Sequence, residues 1–355
     1  MFNWIRKGRA ARNKNRIKRS AASAVIAVSL AVFAPHIATG QQRAEQKLER
    51  GGKVLINHFA GQVTVTGWDR DVIEATATDE GEAEKLQVQV SGDSRRVIIS
   101  VGRNQRYRGD IDLKVMVPRY AEIESIESQR GDITVSDVEG AVSINTAQGD
   151  VSVTKVGPLK LSTRNGDVIV RDVKGNLVAR AFSGDVEASD VTGTVDVSSL
   201  SGSITVQNAG GDVSVSSTSG EITVRCARGR AELATVSGTI EMAGVGGDVE
   251  AQTTSGEAIF RGQIRAGGRY RLKSLSGEAV MYVQTDPPGF TATLTTYSGE
   301  LETDFPLKLD SPLQGPINRK MIGRYGDGQA QIALDSFSGA SRIVKGTAAT
   351  LRECK

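Results

Sequence analysis

The stretch "SGDVEASDVTGTVDVSSLSGSITV", residues Ser183–Val206, contains one pattern twice. A Ser-Gly pair precedes a small or acidic residue and an apolar-x-apolar triplet. The first copy begins at Ser183 and the second at Ser201, with Gly193 midway between the glycines of the two pairs. A short glycine-rich pattern of this kind fits either a ligand-binding loop or a structural unit that is stacked many times. The remainder of the sequence distinguishes between these two interpretations.

The same pattern recurs through the middle of the chain. The glycines that open successive copies keep a spacing close to 18 residues as far as Gly256. The spacing then lengthens, and a degenerate copy at Gly339 follows after a longer gap. From Gly166 to Gly256 the midpoints are glycines as well, so glycine occurs every nine residues. Such a fixed period indicates a repeat architecture. The glycines that open the copies are Gly131, Gly149, Gly166, Gly184, Gly202, Gly220, Gly238, Gly256, Gly277 and Gly299.

The position of the apolar residues within each copy favours a coil over a straight hairpin. Positions are counted from the opening glycine, which is position 0. Glycine permits a positive φ at a tight turn, and the acidic or hydroxyl residue at +1 can hydrogen-bond back to that turn. Apolar residues follow at +2, +4 and +7, whereas +6 is polar, as in Asp172 and Asn208. Alternation in a straight strand would put +6 inside, so the chain must bend between +4 and +7. Two bent halves per repeat describe a coil of a parallel β-solenoid; an antiparallel meander or sandwich is the alternative.

The sequence therefore predicts an all-β fold, a parallel β-solenoid (β-helix) of 18-residue coils with an N-terminal β cap region. Residues 52–118 alternate apolar and polar side chains without the nine-residue glycines, as a cap over the first coil would. Near the other end, "MIGRYGDGQAQIAL" predicts a hairpin that turns at Asp327–Gly328. The predicted segments are a signal peptide (1–40), a linker (41–51), the cap region (52–125), the solenoid repeats (126–303), a C-terminal coil with a loop and hairpin insertion (304–345) and a tail (346–355).

The N-terminal segment, residues 1–40, differs in kind from the rest. Eight basic residues and no acidic ones precede an apolar run, residues 21–34, and the small residues Ala38-Thr39-Gly40. This order is that of a secretory signal peptide; an uncleaved membrane anchor is the alternative, and membrane contact is expected only through this segment. We expect export to the periplasm or the cell surface. Without this segment the chain carries more acidic than basic side chains, and this mildly acidic balance removes the support for a nucleic-acid partner.

Cysteine and histidine are scarce. Cys226 and Cys354 lie far apart in the sequence, and their spacing fits neither a zinc site nor a dense disulfide framework. We expect two free thiols, with a disulfide in an oxidising compartment as the alternative. His58 lies in the alternating stretch "VLINHFAGQVTV" and is expected to be a surface or half-buried strand residue. The sequence predicts no catalytic residue, no cofactor-binding residue, no metal ligand and no cofactor.

Three sets of residues are candidate binding rows, because stacking brings equivalent positions of successive coils together. A carboxylate ladder could bind Ca²⁺, although Ser203 and Thr239 interrupt it and turn capping explains the same residues. Outward hydroxyls at +3 could bind glycans, or serve as ordinary solvent-facing strand residues. Mixed charges clustered on one face of the solenoid could form a site like that of a β-helical polysaccharide lyase, although no spacing singles out these residues. The ladder is Asp132, Asp150, Asp167, Asp185, Glu257, Glu278 and Glu300; the hydroxyls are Thr134, Ser152, Thr205 and Thr223; the charges are Arg171, Arg180, Arg225, Asp172 and Asp190.

Three parts of the chain carry a resemblance to a known family. The opening "GGKVLINHFAGQVTVTGWDRDVIEA", the later "LKVMVPRYAEIESIESQRGDITVSDVEG" and the serial SGD and SGE coils resemble the bacterial putative-adhesin family of β-strand-repeat proteins. The resemblance covers residues 50 to 345 and implies an exported β-helical protein with no catalytic residue to carry over. The expected function is a non-enzymatic adhesin or envelope structural protein with a protein or glycan partner. The alternatives are a self-assembling scaffold and a polysaccharide-acting enzyme.

Overall fold

A computed structural model describes residues 41–79, 87–102, 110–310, 319–347 and Cys354. These residues belong to one compact unit, Thr39–Lys355. The predicted signal peptide lies outside the described residues, so signal cleavage and export stay predictions. Every regular element of the described residues is a β-strand, and the strands form two long sheets, A and B.

Sheet A has fifteen described strands, most of them five to seven residues long. In spatial order they are β1 (Gln41–Lys47), β4 (Val72–Asp79), β7 (Ile111–Pro118), β3 (Val63–Trp68), β9 (Ile133–Val138), β11 (Val151–Val156), β13 (Val168–Val173), β15 (Val186–Val191), β17 (Ile204–Ala209), β19 (Ile222–Ala227), β21 (Ile240–Ala243), β23 (Ala258–Gly262), β25 (Ala279–Val283), β31 (Ser341–Lys345) and β27 (Leu301–Thr303).

Sheet B has sixteen described strands. In spatial order, starting from the end that carries β27 in sheet A, they are β28 (Lys308–Leu309), β29 (Arg319–Tyr325), β26 (Phe290–Thr296), β30 (Ala330–Ser336), β24 (Arg269–Ser276), β22 (Val249–Ser255), β20 (Ala231–Ser237), β18 (Val213–Ser219), β16 (Val195–Ser201), β14 (Leu177–Ser183), β12 (Leu159–Asn165), β10 (Val142–Gln148), β8 (Glu122–Arg130), β2 (Lys53–Ala60), β6 (Arg96–Gly102) and β5 (Gln87–Gly92).

Each coil of the repeat contributes one strand to each sheet. β15 pairs in parallel with β17, with Val186 opposite Ile204, and β16 pairs in parallel with β18, with Val195 opposite Val213. Both registers reproduce the period of the opening glycines. The predicted parallel solenoid is therefore confirmed, and the antiparallel meander is wrong for these coils. Inward Val, Ile, Leu and Ala side chains of the two sheets pack together as one hydrophobic core.

The bend that the sequence predicts between +4 and +7 occurs at +6. Six non-glycine residues at this position have φ between 54° and 60°, the left-handed region in which Asp and Asn are several-fold enriched. This conformation turns the chain so that the residue at +7 points inward, and Val173 and Val191 are both buried. The six residues are Asp137, Lys155, Asp172, Asp190, Asn208 and Cys226.

The two sets of glycines have different roles. Nine of the ten opening glycines, all except Gly299, take the predicted positive φ, for example 119° at Gly184 and 117° at Gly202. Of the midpoint glycines, Gly175 has a positive φ, but Gly193 does not. A Cβ on Gly193 would lie 2.6 Å from the carbonyl oxygen of Gly175 in the coil below. The prediction of a positive-φ turn is therefore wrong for Gly193, which is required because two backbones stack too closely for a side chain.

The N-terminal strands join the stack in an order that differs from the chain order. β2 and β3 form a coil that lies between the coil of β8 and β9 and the coil of β6 and β7. β1, β4 and β5 then pair in antiparallel fashion at the outer end. The terminal strand β1, QQRAEQK, is polar, which discourages pairing with another chain. This end agrees with a β cap region, and the boundary at residue 125 stays a prediction.

The C-terminal strands show a comparable insertion. β30 lies between β24 and β26, and β31 lies between β25 and β27, so the last coil in the sequence is not the last in space. The hairpin predicted around Asp327–Gly328 does not form, because β29 and β30 do not pair with each other and instead flank β26. The degenerate copy at Gly339 is confirmed as a coil. At this end Phe290, Phe305 and Tyr325 form an aromatic cluster with ring centroids 5.3 to 5.4 Å apart.

Candidate binding surface

The surface of the coils presents equivalent side chains in columns, one residue per coil. Among the described residues, no group of three or more His, Cys, Asp or Glu side chains is arranged to hold a metal ion. No helix in the same part of the chain is long and apolar enough to cross a membrane. The candidate functional features are therefore the columns themselves and the clefts between them.

The four aspartates of the predicted carboxylate ladder stack in consecutive coils and their carboxylates bind backbone, whereas Glu278 accepts from Arg342 at 3.1 Å and is separated from Glu300 by the inserted coil of β31. The Oδ1 atom of Asp132 accepts a hydrogen bond from the backbone N–H of Asp150, at 2.9 Å, and the same contact joins Asp150 to Asp167 and Asp167 to Asp185. Asp185 in turn accepts from the N–H of Ser203 at 2.7 Å. Each of these four aspartates thus caps the next coil, not its own turn. One oxygen of each has this structural role, and we keep calcium binding as an untested alternative.

The hydroxyls predicted at +3 lie on the outer side of sheet A but do not form a continuous row. Ile169 and Glu187 stand between Ser152 and Thr205 in the register of the stack. Thr223 is largely buried, and its hydroxyl lies 3.3 Å from a carboxylate oxygen of Glu221. This interruption weakens the case for a glycan-binding row at +3.

The charged residues of the enzyme alternative are divided between the two sheets. Arg171 and Arg225 lie on sheet A, whereas Arg180 lies on sheet B and forms a bidentate pair with Asp196, at 2.8 and 2.9 Å. The arrangement does not bring the three arginines to one site.

Asp172 and Asp190 line a shallow cleft along the +6 bends. The cleft has a volume of about 510 Å³ and is also lined by Arg119, Lys155 and Lys174. Arg119 lies 3.5 Å from Asp137 and 2.8 Å from Asp69. Opposite charges in neighbouring coils thus compensate one another, and the cleft presents no net field of one sign.

The two cysteines are paired, which corrects the expectation of free thiols. Cys226 and Cys354 form a disulfide with their Cα atoms 5.4 Å apart. Cys226 occupies a +6 bend, and the Cys354 sulfur lies 3.4 Å from the carbonyl oxygen of Gly244, the +6 residue of the next coil. The spacing of the two cysteines in the sequence could not predict this disulfide, because stacking brings segments that are distant in the sequence to one edge of the coils.

His58 is buried, contrary to the expectation of a surface or half-buried residue. Its side chain is 6% exposed, and Nε2 lies 2.7 Å from the carbonyl oxygen of Ile111. Nδ1 has no hydrogen-bond partner, and neither has the hydroxyl of Ser128, its register neighbour in β8. Burial lowers the pKa of His58, and the Ile111 carbonyl, Asp112 and Asp110 oppose this shift.

A column that the sequence reasoning missed runs along the corner just before the opening glycines. Position −2 carries exposed apolar side chains in six coils, and position −1 beside it carries serine in eight consecutive coils, most of them exposed. The regular period of these residues was a signal that could have found them. We name the first set the apolar ridge and the second the serine column. The ridge is Phe182, Leu200, Val236, Leu275, Phe337 and Tyr297; the column is Ser183, Ser201, Ser219, Ser237, Ser255, Ser276, Ser338 and Ser298.

One protein family matches nearly the whole described chain. Its description is Toastrack DUF4097, and it matches residues 40–228 and 191–343. The chain belongs to the Toastrack family. The two overlapping matches cover the glycine repeats and both ends of the stack. The putative-adhesin resemblance is thereby confirmed at the level of the family.

Several solved structures are similar to this Toastrack chain. A "putative adhesin" from Parabacteroides distasonis is 12% identical over 69% of this chain and 94% of its own, with a TM-score of 0.28. A "putative adhesin" from Parabacteroides merdae is 11% identical over 68% and 92%, with a TM-score of 0.25. A "putative cell adhesion protein" from Clostridium sporogenes is 10% identical over 86% and 100%, with a TM-score of 0.17. No curated protein matches the chain. At these scores the likenesses carry no weight for its function.

Proposed function

We propose that this chain is an exported, non-enzymatic interaction protein of the bacterial cell envelope, of the adhesin type. It binds a protein or glycan partner in the periplasm or at the cell surface through many weak contacts along its columns. The observation that carries this proposal is the serine column, eight serines in register at one edge of the stack. Identical hydroxyls at a spacing of about 4.8 Å suit a partner that is itself repetitive.

The neighbouring columns support the same function. Beyond the glycines, the aspartates at +1 use one oxygen to cap the next coil, and the side chains of Asp185 and Glu221 are exposed to solvent. A partner along this edge therefore meets hydroxyl and carboxylate groups on a stiff backbone. Because the donors are already ordered by the stack, binding requires little further loss of conformational entropy.

The two alternative functions have less support. A polysaccharide-acting enzyme would need its charged residues in one place, and Arg171 and Arg180 lie on different sheets. A scaffold that polymerises end to end would need open coil ends, whereas antiparallel strands close three of the four sheet edges of the described stack, and the fourth edge strand, β27, has only three residues. Light scattering of the purified chain tests the scaffold, and reducing-end release from a polysaccharide panel tests the enzyme.

The proposed function is tested with isolated cell envelopes as the probe. We expect the fluorescently labelled chain to bind envelopes, and the triple variant S201E/S219E/S237E to bind at least tenfold more weakly, because several contacts are lost together. The matched control is S162E/S198E/S216E, which adds the same charge at outward serines on the face of sheet B. Equal binding by both variants, or no binding of the unaltered chain, contradicts the proposal.

Location is tested by adding protease to intact cells. Digestion without lysis supports display at the cell surface, and digestion only after the outer envelope is opened supports a periplasmic partner. A chain that remains in the cytoplasm in a fractionation experiment contradicts export.

A further inference from the structure

Exposed large apolar side chains are concentrated on one line of the surface. Among the described residues, eight large hydrophobic side chains are exposed, and six of these form the apolar ridge. Their exposure ranges from 42% at Leu200 to 56% at Phe182. Scattered single residues of this type are normal on a protein surface, but their concentration on one line, in six of eight successive coils, points to an interaction site.

The ridge follows the stack coil by coil. Register contacts place Phe182 beside Leu200, and then Thr218, Val236, Thr254 and Leu275 in successive coils. Phe337 follows in the inserted coil, and Tyr297 stacks on it with ring centroids 4.7 Å apart. Eight coils at about 4.8 Å give a ridge about 34 Å long.

We propose that the apolar ridge is the interface of an antiparallel homodimer, in which a second copy of this chain covers it ridge to ridge. This inference goes beyond the proposed adhesive function and does not rest on it. A pair of this kind has two-fold symmetry, so the same patch serves both copies.

The order of large and small residues along the ridge fits a copy that runs in the opposite direction. A two-fold axis between the coils of Val236 and Thr254 places Val236 of one copy opposite Thr254 of the other. It also places Leu275 opposite Thr218. Both threonines, which are the small residues on the line of the ridge, then face a large side chain. The aromatic and aliphatic residues nearer the two ends of the ridge face one another. A parallel pair would set each threonine opposite itself and leave two gaps.

The charges beside the ridge also favour a copy. The serine column on one side is uncharged, and on the other side Arg180 is already paired with Asp196. Lys273 and Asp335 lie opposite each other in neighbouring coils on that side. The approach of an identical ridge therefore brings few unpaired like charges into contact. The carboxylates at +1 lie beyond the serine and glycine columns, where salt screens them.

The apolar area is of the size that a weak dimer uses. Six half-exposed side chains present on the order of 500 Å² of apolar surface, since a large aromatic residue buries roughly 150–250 Å² in full. This area is below the roughly 800 Å² per partner of a standard interface, so the expected dimer is weak and need not cover the serine column. A lipid surface is a poorer occupant, because the row is only one residue wide.

The test is the self-association of the purified chain from Thr39 onward, which forms one compact unit. Sedimentation equilibrium is expected to show a monomer–dimer equilibrium, and F182S/L200S is expected to raise the dimer dissociation constant at least tenfold. The matched control is L309S, because Leu309 is equally exposed at 46% but lies off the ridge in β28. The melting temperature of each variant reports that it folds.

Cysteine cross-linking tests the arrangement. Mixing T218C with L275C is expected to give a covalent dimer, whereas T218C alone is expected to give little. A chain that stays monomeric, or a dimer that F182S/L200S leaves unchanged, overturns the proposal. Efficient self-cross-linking of T218C overturns the antiparallel arrangement, and ridge-dependent flotation with vesicles of phosphatidylcholine and phosphatidylglycerol overturns the choice of a second copy.

Discussion

Individual glycines in this repeat serve two separate purposes. Gly202 takes a φ of 117°, which a residue with a Cβ adopts only with strain. Gly193 has an ordinary φ, and its N–H donates to the Gly175 carbonyl at 3.0 Å while its own carbonyl accepts from Gly211 at 2.9 Å. This column of glycine peptides stacks directly from coil to coil. A side chain would therefore collide with backbone at either position, for different reasons.

We predict that Gly193→Val lowers the free energy of unfolding by about 2 kcal/mol, because the new side chain overlaps the Gly175 carbonyl and the coils must separate locally. The matched control is Thr194→Val, which places the same valine side chain at an exposed neighbouring position that already carries a side chain of similar size. Urea unfolding of both variants measures the effect. If Gly193→Val unfolds at the same urea concentration as the unaltered chain, the close stacking of the midpoint glycines is wrong.

His58 makes the stability of the N-terminal coils depend on pH. Burial lowers its pKa in the folded state, so the unfolded chain binds the proton more readily. Stability is then complete above the ordinary histidine pKa of about 6.5 and falls as the pH drops through that value towards the lowered folded pKa, by up to ~1.4 kcal/mol per pH unit. The groups that face the ring are the Ile111 carbonyl, Ser128, Asp110 and Asp112.

We expect urea unfolding at pH 7.5 and pH 5.5 to show this loss in the unaltered chain and a smaller loss in His58→Gln, which cannot gain the charge. The comparison isolates His58, because every other titratable group is the same in the two proteins. An identical pH dependence of the two proteins would show that His58 does not titrate on unfolding.

At the scale of the strands, the +6 bend and the C-terminal disulfide meet. Cys226 adopts a φ of 60° in its bend, in the same column as Asn208 and Asp190, whose side chains hydrogen-bond at 2.9 Å. The disulfide joins this column to Cys354, at a sequence separation of 128. It therefore ties the C-terminal coils, including the inserted β30–β31 coil, to the middle of the stack.

Reduction of the disulfide is predicted to destabilise the C-terminal coils. In the chain-entropy description, a closed loop of this length stabilises by about 4 to 5 kcal/mol. We expect dithiothreitol, or Cys354→Ser, to lower the urea midpoint of the unaltered chain, and dithiothreitol to have no further effect on the variant. An unaltered chain that ignores the reductant would contradict a stabilising disulfide.

The sequence predicts the strands of the regular coils well, because the +2, +4 and +7 pattern fixes which residues point inward and where the chain must bend. It predicts the ends less well. Alternation is the same in an antiparallel hairpin as in a coil inserted from a distance, so the β29–β30 hairpin was wrong although the strands exist. The disulfide and the burial of His58 depend on which coils become neighbours, and local pattern does not contain that information.

For the molecule as a whole, stacking converts a short repeat into long columns. Asp185 illustrates this, because the sequence suggests a ligand or a turn cap and the structure shows a cap for the next coil. The apolar ridge and the serine column arise in the same way, from residues one repeat apart that carry no signal individually. Their function therefore depends on the order of the coils in space.

The most direct measurement of that order is the distance between spin labels on the serine column. Cysteines for labelling are placed at Ser183 with Ser338, and at Ser183 with Ser298, and the labelled chain is diluted with unlabelled chain to suppress distances between copies. Six and seven coil steps of about 4.8 Å predict about 29 Å to Ser338 and about 34 Å to Ser298. The residue nearer in sequence is thus further away in space. A shorter distance to Ser298 than to Ser338 would contradict the stack.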